Sequence, residues 1–200
     1  MTVRVCIEGN IGSGKSTVLE ELGRLRPDLP AFLEPLEAWG DLLQLYYQEP
    51  TRWSLALQLK ALLAFGEPAR CASPCCVVER SPLSCRHVFG QMLFNENKLA
   101  QGEWELFKRY CDALAWAPDL IVYVHTPYEE CYERVRRRAR EAEASVDLQY
   151  IKRLDFQYET MLRYANVRVE RLDGSLPPDQ LAARVAQLVD EVTAPPPAPA

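Results

Sequence analysis

Short apolar runs alternate along the chain with longer stretches in which apolar residues recur every three or four positions. The runs Val3 to Ile7, Ala31 to Leu33, Cys75 to Val78, Leu120 to Val124 and Val167 to Leu172 predict five strands, since each is brief and bounded by polar or turn-forming residues. Between them, Val18, Leu19, Leu22 and Leu25, and later Leu181, Val185, Leu188 and Val192, keep helical spacing. Strand then helix, repeated, predicts an α/β fold with a parallel sheet covered by helices on both faces. In such sheets ligands bind beyond the carboxyl ends of the strands, so the residues that follow each run carry the candidate chemistry.

Length and composition narrow this further. A chain of 200 residues, 48% hydrophobic and 26% charged, is expected to form one domain with its own core over residues 1–192. No internal period or Gly/Ser linker suggests a second domain. Pro195, Pro196, Pro197 and Pro199 predict a disordered Pro/Ala tail over 193–200. No window reaches the roughly 18 apolar residues of a membrane span, and Arg4 and Glu8 interrupt the first apolar stretch, so neither an anchor nor a signal peptide is expected. A net charge of −5 argues against nucleic acid or an anionic membrane as the main partner. The seven cysteines are odd in number and lack paired CxxC spacing, which favours free thiols over a disulfide framework or a zinc site.

After the first strand comes Gly9, Asn10, Ile11, Gly12, Ser13, Gly14, Lys15, Ser16, Thr17, a G-x-x-x-x-G-K-[ST] loop between a strand and a helix. Glycines let successive backbone N–H groups turn toward phosphate oxygens, Lys15 reaches the terminal phosphates and Ser16 can ligate Mg²⁺. A Gly-rich turn without function is the plainer alternative, but the pattern in this context points to a nucleoside triphosphate. The one Asn-Lys pair is followed by Leu99 and Ala100 and does not complete the base-reading motif of GTPases. The third strand ends in Glu79, a natural partner for Mg²⁺ opposite Ser16.

Arg134, Arg136, Arg137, Arg138 and Arg140 place five guanidiniums within seven residues, on what reads as a helix continuing from Tyr128. A solvated face is the ordinary meaning of such a run. Beside a phosphate cradle, it reads better as a lid that clamps the transferred phosphoryl, because the planar guanidinium binds phosphate oxygens bidentately. Glu34, after the second strand, is placed to take a proton from an attacking hydroxyl, although a lone loop Glu is more often merely solvated.

Ile7-Glu8-Gly9-Asn10-Ile11-Gly12-Ser13-Gly14-Lys15-Ser16-Thr17, Glu34-Pro35, Arg52-Trp53-Ser54 with Gln58, Glu79-Arg80-Ser81 and the arginine run together resemble the deoxyribonucleoside kinase family, over nearly the whole chain. The resemblance implies a phosphate-loop fold with a five-stranded parallel sheet, transfer of the γ-phosphoryl of ATP to the 5′-hydroxyl of a deoxynucleoside with Mg²⁺, and a homodimer. It makes Glu34 the general base, Arg80 the group that orients the 5′-oxygen, Glu79 and Ser16 the metal ligands, and Arg134, Arg138 and Arg140 the lid. In the nucleoside pocket, Gln58 resembles the glutamine that pairs with the base edge, Phe89 the ring that stacks on it and Trp39 a wall, while Tyr47 and Glu143 resemble the pair that binds the sugar 3′-hydroxyl.

Where deoxycytidine and purine members of the family carry an arginine and an aspartate, this chain has Phe65 and Cys85. An uncharged wall there suits a 5-methyl group, so thymidine is the expected best substrate, with other pyrimidine deoxynucleosides tolerated. Only a residue or two precede the first strand, which leaves no room for the transit peptide of mitochondrial members; cytoplasmic or nuclear action is expected, in a host cell if the gene is viral. The adenine contacts fall loosely near Asp173, Gly174 and Ser175. Two alternatives remain at this stage. A thymidylate-type monophosphate kinase shares the cradle and lid, but Glu34 would repel its phosphorylated acceptor; a non-catalytic nucleotide-binding regulatory module would leave the base and lid unused.

Overall fold

The computed structural model describes residues 2–140, 143 and 145–194. Strands β1 (Val3–Glu8), β2 (Ala31–Phe32), β3 (Cys75–Glu79), β4 (Leu120–His125) and β5 (Arg168–Asp173) form one sheet in the order β2-β3-β1-β4-β5. Every pairing is parallel, so the carboxyl ends of all five strands share one edge. The five apolar runs predict these strands, with β2 ending one residue short, at Phe32, and β5 shifted by one residue to Arg168–Asp173. β1, β3 and β4 each continue one residue further, to Glu8, Glu79 and His125, because the backbone ladder accepts polar residues as readily as apolar ones. Ile7 thus sits beside Glu79, and Glu8 beside Tyr123.

The helices are α1 (Lys15–Leu25), α2 (Asp41–Gln48), α3 (Pro50–Ala64), α4 (Gly66–Ala69), α5 (Pro82–Ser84), α6 (Gln91–Asn95), α7 (Gln101–Leu114), α8 (Tyr128–Arg138), α9 (Leu148–Tyr164) and α10 (Pro178–Thr193). A 3₁₀ turn spans Leu36–Trp39 and a π-helical turn spans Cys85–Gly90. Both faces of the sheet are covered. On one, Val18, Leu19 and Leu22 of α1 and Leu181, Val185 and Leu188 of α10 pack on Val5, Ile7, Val77 and Val122. Leu25, the last position of its stripe, is exposed at the end of α1, and Val192 is only partly buried. On the other face, Cys6, Cys76 and Val78 meet α3 and α7 through Leu57, Leu62 and Phe107. Ile121 and Tyr123 meet α9 through Leu154 and Tyr158.

Truncating a buried leucine such as Leu22 to alanine costs about 2–5 kcal/mol, so α1 is firmly docked. Its N-terminus carries Lys15 and Ser16, and the docking therefore fixes the phosphate loop.

One expectation is corrected. α8 ends at Arg138 because Ala139 takes a left-handed conformation (φ 48°), so Arg140 lies beyond the helix and the five arginines do not share it. α10 runs to Thr193, the first position of the expected tail, and Pro195 to Ala200 lie outside the described residues. All seven cysteines are free. Among the described residues, no helix is long and apolar enough to cross a membrane.

Candidate active site

Between β1 and α1 the chain folds into a tight cradle. Gly9 and Gly12 have φ of +152° and +83°. A Cβ on Gly9 would lie 2.7 Å from the Val124 carbonyl oxygen, and one on Gly12 would strike the Cys131 carbonyl oxygen of α8, so neither position admits a side chain. Ile11 to Thr17 border the large cavity at the carboxyl edge of the sheet. Gly9 and Asn10 do not. Asn10 instead ties the loop down: its Nδ2 donates to the Ile151 carbonyl of α9 at 2.9 Å, and its Oδ1 accepts the Ile11 N–H at 2.9 Å. The buried Lys15 donates from Nζ to the Asn10 carbonyl at 2.7 Å. Burial, reinforced by the positive charge of Arg80, lowers its pKa to about 8.

Ser16 Oγ donates to Glu79 Oε1 at 2.8 Å, and Glu79 Oε2 accepts the Glu34 N–H at 3.2 Å. A hydroxyl beside one carboxylate is a hard-oxygen set that fits Mg²⁺, which takes few protein ligands and leaves places for phosphate oxygens and water. Among the described residues, no group of three or more His, Cys, Asp or Glu forms a further metal cluster.

Arg80 follows β3 with φ 65°, a conformation that costs a non-glycine residue of order 1–3 kcal/mol. Its surroundings hold it there. Nε donates to Glu34 Oε2 at 2.9 Å, Nη1 donates to the Gly9 carbonyl at 3.1 Å and to the Tyr158 hydroxyl, and the guanidinium lies 4.8 Å from the centre of the Phe89 ring. Below it, Ser81 Oγ donates to Glu8 Oε1 at 2.6 Å. Burial pushes the Glu8 carboxyl above its ordinary range, against the pull of Arg80.

The cavity, of about 870 Å³, continues from these groups to an aromatic end. All seven expected substrate residues border it: Trp39, Tyr47, Gln58, Phe65, Cys85, Phe89 and Glu143. Gln58 reaches in from α3 with Cys85 Sγ 3.6 Å from its Oε1. Phe65 is fixed edge-on against Trp116, whose Nε1 donates to the Phe65 carbonyl at 3.0 Å. Phe89 is edge-on to Tyr158. Burial pushes the Tyr47 phenol up, and the charge of Glu143 adds to this. Glu143 accepts Nε and Nη2 of Arg138 at 2.9 and 2.5 Å, so in this state its carboxylate is held by the arginine.

The arginines divide. Arg134 bridges backbone carbonyls, with Nη1 on Ser13 at 3.2 Å and Nη2 on Gly174 at 3.0 Å, and also pairs with Glu130. Arg140 is half exposed, 3.9 Å from Glu143 Oε1. Arg134, Arg137, Arg138 and Arg140 border the cavity, and Arg136 does not. Gly174 and Ser175 also border it, beside Leu176 and Pro177. Sequence reasoning missed Tyr158, Leu57 and Ala61. The spacing Leu57, Gln58, Ala61, Phe65 along α3 is a helical face that could have revealed the two lining positions; nothing near Tyr158 marks it.

A cradle at β1, acidic groups after β2 and at the end of β3 and arginines on α8, all facing one cavity on a parallel sheet, define a phosphate-loop nucleotide-binding fold of the phosphotransferase type. Comparison with known sequences narrows the class: the family described as deoxynucleoside kinase matches residues 5–193, and the chain belongs to that family. Mitochondrial thymidine kinase 2 of Macaca fascicularis is 32% identical over 169 residues, covering 79% of this chain and 63% of that protein. A protein of Invertebrate iridescent virus 3 named only as a kinase is 30% identical over 96% of this chain and 98% of its own length. Deoxycytidine kinase 2 of Gallus gallus is 28% identical over 84% of this chain and 76% of its own.

Proposed function

We propose that the chain transfers the γ-phosphoryl group of ATP to the 5′-hydroxyl of a deoxyribonucleoside, with thymidine the favoured acceptor and other pyrimidine deoxynucleosides accepted. The observation that carries this reading is the Glu34–Arg80 pair, 2.9 Å apart, between the phosphate cradle and the aromatic end of one cavity. A hydroxyl lodged there loses its proton to Glu34 as its oxygen attacks phosphorus, while Arg80 directs both the oxygen and the phosphoryl. Lys15 and the N-terminus of α1 hold the terminal phosphates, and Arg138 and Arg140, which border the same cavity, neutralise charge on the moving group once Arg138 leaves Glu143. Ser16 and Glu79 would hold Mg²⁺, which would supply positive charge to offset that of the phosphates.

Acceptor choice follows from the walls. A phosphorylated acceptor would bring its negative charge to Glu34, which disfavours a monophosphate kinase. Gln58 can pair with a base edge through its amide, and the uncharged Phe65 and Cys85 leave an apolar wall for a 5-methyl group. The relatives named for thymidine and deoxycytidine make both pyrimidines the first acceptors to try. For the homodimer, the exposed Leu106, Tyr110 and Leu114 recur every four residues along α7, and the exposed Leu63 of α3 offers a further apolar side chain to a second copy. The reading places its action in the cytoplasm or nucleus, of a host cell if the gene is viral.

The test is initial-rate phosphoryl transfer from MgATP to thymidine, deoxycytidine, deoxyadenosine, deoxyguanosine and thymidine monophosphate, with Glu34→Gln alongside. Thymidine is expected to lead, and the variant to lose about 100-fold or more in kcat. A lead by deoxycytidine or a purine would overturn the preference alone, and turnover of thymidine monophosphate only would overturn the acceptor class.

A further inference from the structure

A guanidinium has five N–H donors, and those of Arg80 can be followed one by one. Nε is taken by Glu34. Both N–H groups of Nη1 are taken, one by the Gly9 carbonyl and one by the Tyr158 hydroxyl. Nη2 donates to no protein group among the described residues, and Arg80 borders the cavity. We propose that Tyr158 is a positioning residue for phosphoryl transfer: with the Gly9 carbonyl it occupies Nη1 completely, so that only Nη2 is presented to the reacting oxygens. The inference rests on reading Arg80 as the group that orients those oxygens.

The surroundings of Tyr158 suit this task. It is fully buried, and its ring packs edge-on against Phe89, the ring that lies beneath the guanidinium. Phenol and ring thus fix the guanidinium in its plane and against its face respectively. Burial pushes the phenol well above its ordinary range, so it stays neutral and accepts the hydrogen bond as a dipole, leaving the charge of Arg80 available to phosphate. Without the hydroxyl, one N–H of Nη1 has no acceptor and the Gly9 carbonyl alone distinguishes Nη1 from Nη2, so exchange of the two by rotation about Cζ–Nε becomes faster.

The test is Tyr158→Phe in the full chain, which keeps the ring and removes the hydroxyl. With MgATP and thymidine, kcat is expected to fall about 10-fold while both KM values stay within about twofold. In an Arg80→Lys background, which has no fork to orient, adding Tyr158→Phe is expected to change kcat by less than about twofold. An unchanged kcat in the single variant, or an equal loss in both backgrounds, would overturn the proposal; the latter is the signature of a packing role. If the unaltered chain phosphorylates no nucleoside, the functional reading fails separately, and ¹⁵N resonances of the Arg80 side chain decide the positioning. Distinct Nη1 and Nη2 signals that merge in Tyr158→Phe support it, and signals that stay distinct in both proteins sink it.

Discussion

The two ends of the cavity are built in opposite ways. At the phosphate end, nine consecutive residues, Gly9 to Thr17, form the cradle, of which Ile11 to Thr17 border the cavity, and its shape depends on backbone that leaves no room for a side chain at Gly9 and Gly12. At the base end, Trp39, Tyr47, Gln58, Phe65, Cys85 and Phe89 come from the 3₁₀ turn, α2, α3 and its end, and the π-helical turn. On the proposed function, one end recognises a group common to all nucleoside triphosphates and gains from being rigid and contiguous. The other then distinguishes bases, and separate elements let each wall vary while the cradle stays fixed. The Glu34–Arg80 pair stands where the two constructions meet.

The contrast is most severely tested at Gly12. Gly12→Ala drives a Cβ into the backbone of α8 and is expected to lower kcat/KM for ATP by about 10³-fold, with thymidine binding, read by thermal shift, retained. A variant that keeps ATP turnover within about tenfold would show that the cradle is not set by its backbone. The complementary change is Gln58→Leu, expected to lower kcat/KM for thymidine by about 100-fold and flatten the ranking of pyrimidines, while KM for ATP holds steady. Loss of ATP affinity in that variant would mean the two ends do not act separately.

The smallest effect concerns the buried amine. Lys15 titrates near 8 in the ligand-free fold and near 10.5 when unfolded. Below pH 8 both states hold the proton; between the two values only the unfolded chain does, so stability rises with pH across that window. Urea unfolding at pH 8 and pH 10 should show the unaltered chain gaining about 2 kcal/mol relative to Lys15→Met, in which this slope is absent. Equal slopes in the two proteins would mean that the fold does not depress the amine.

The same division governs what the sequence reveals. The cradle is legible because its residues are consecutive and fit a phosphate-loop pattern, and Glu79 and Glu34 are legible because one ends and the other follows an apolar run that forms a strand of a parallel sheet. The sheet itself follows from five apolar runs whose alternate residues pack on opposite faces. The base pocket has no such local grammar: Trp39, Tyr47 and Phe89 look like ordinary core aromatics, and only a family resemblance singles them out. Tyr158 lies 78 residues from Arg80 in sequence, and a buried tyrosine on an amphipathic helix gives no sign of what its hydroxyl touches. The break of α8 at Ala139 was likewise hidden, since alanine is a strong helix former and the left-handed turn there runs against its propensity.

Cys85 and Phe89 both reach the cavity from the π-helical turn, which holds one residue more than α-helical winding would. Val88, between them, points instead into the packing with α9. The breadth of the base pocket is therefore encoded partly in how many residues the turn contains, not only in which ones. Shortening that turn by a single residue, back to ordinary α-helical winding, would swing one wall of the pocket about the helix axis and leave the sheet, the cradle and the Glu34–Arg80 pair where they are. On the proposed function, length variation at this one turn is thus a coarser means of changing substrate range, alongside the finer one of exchanging Phe65 or Cys85.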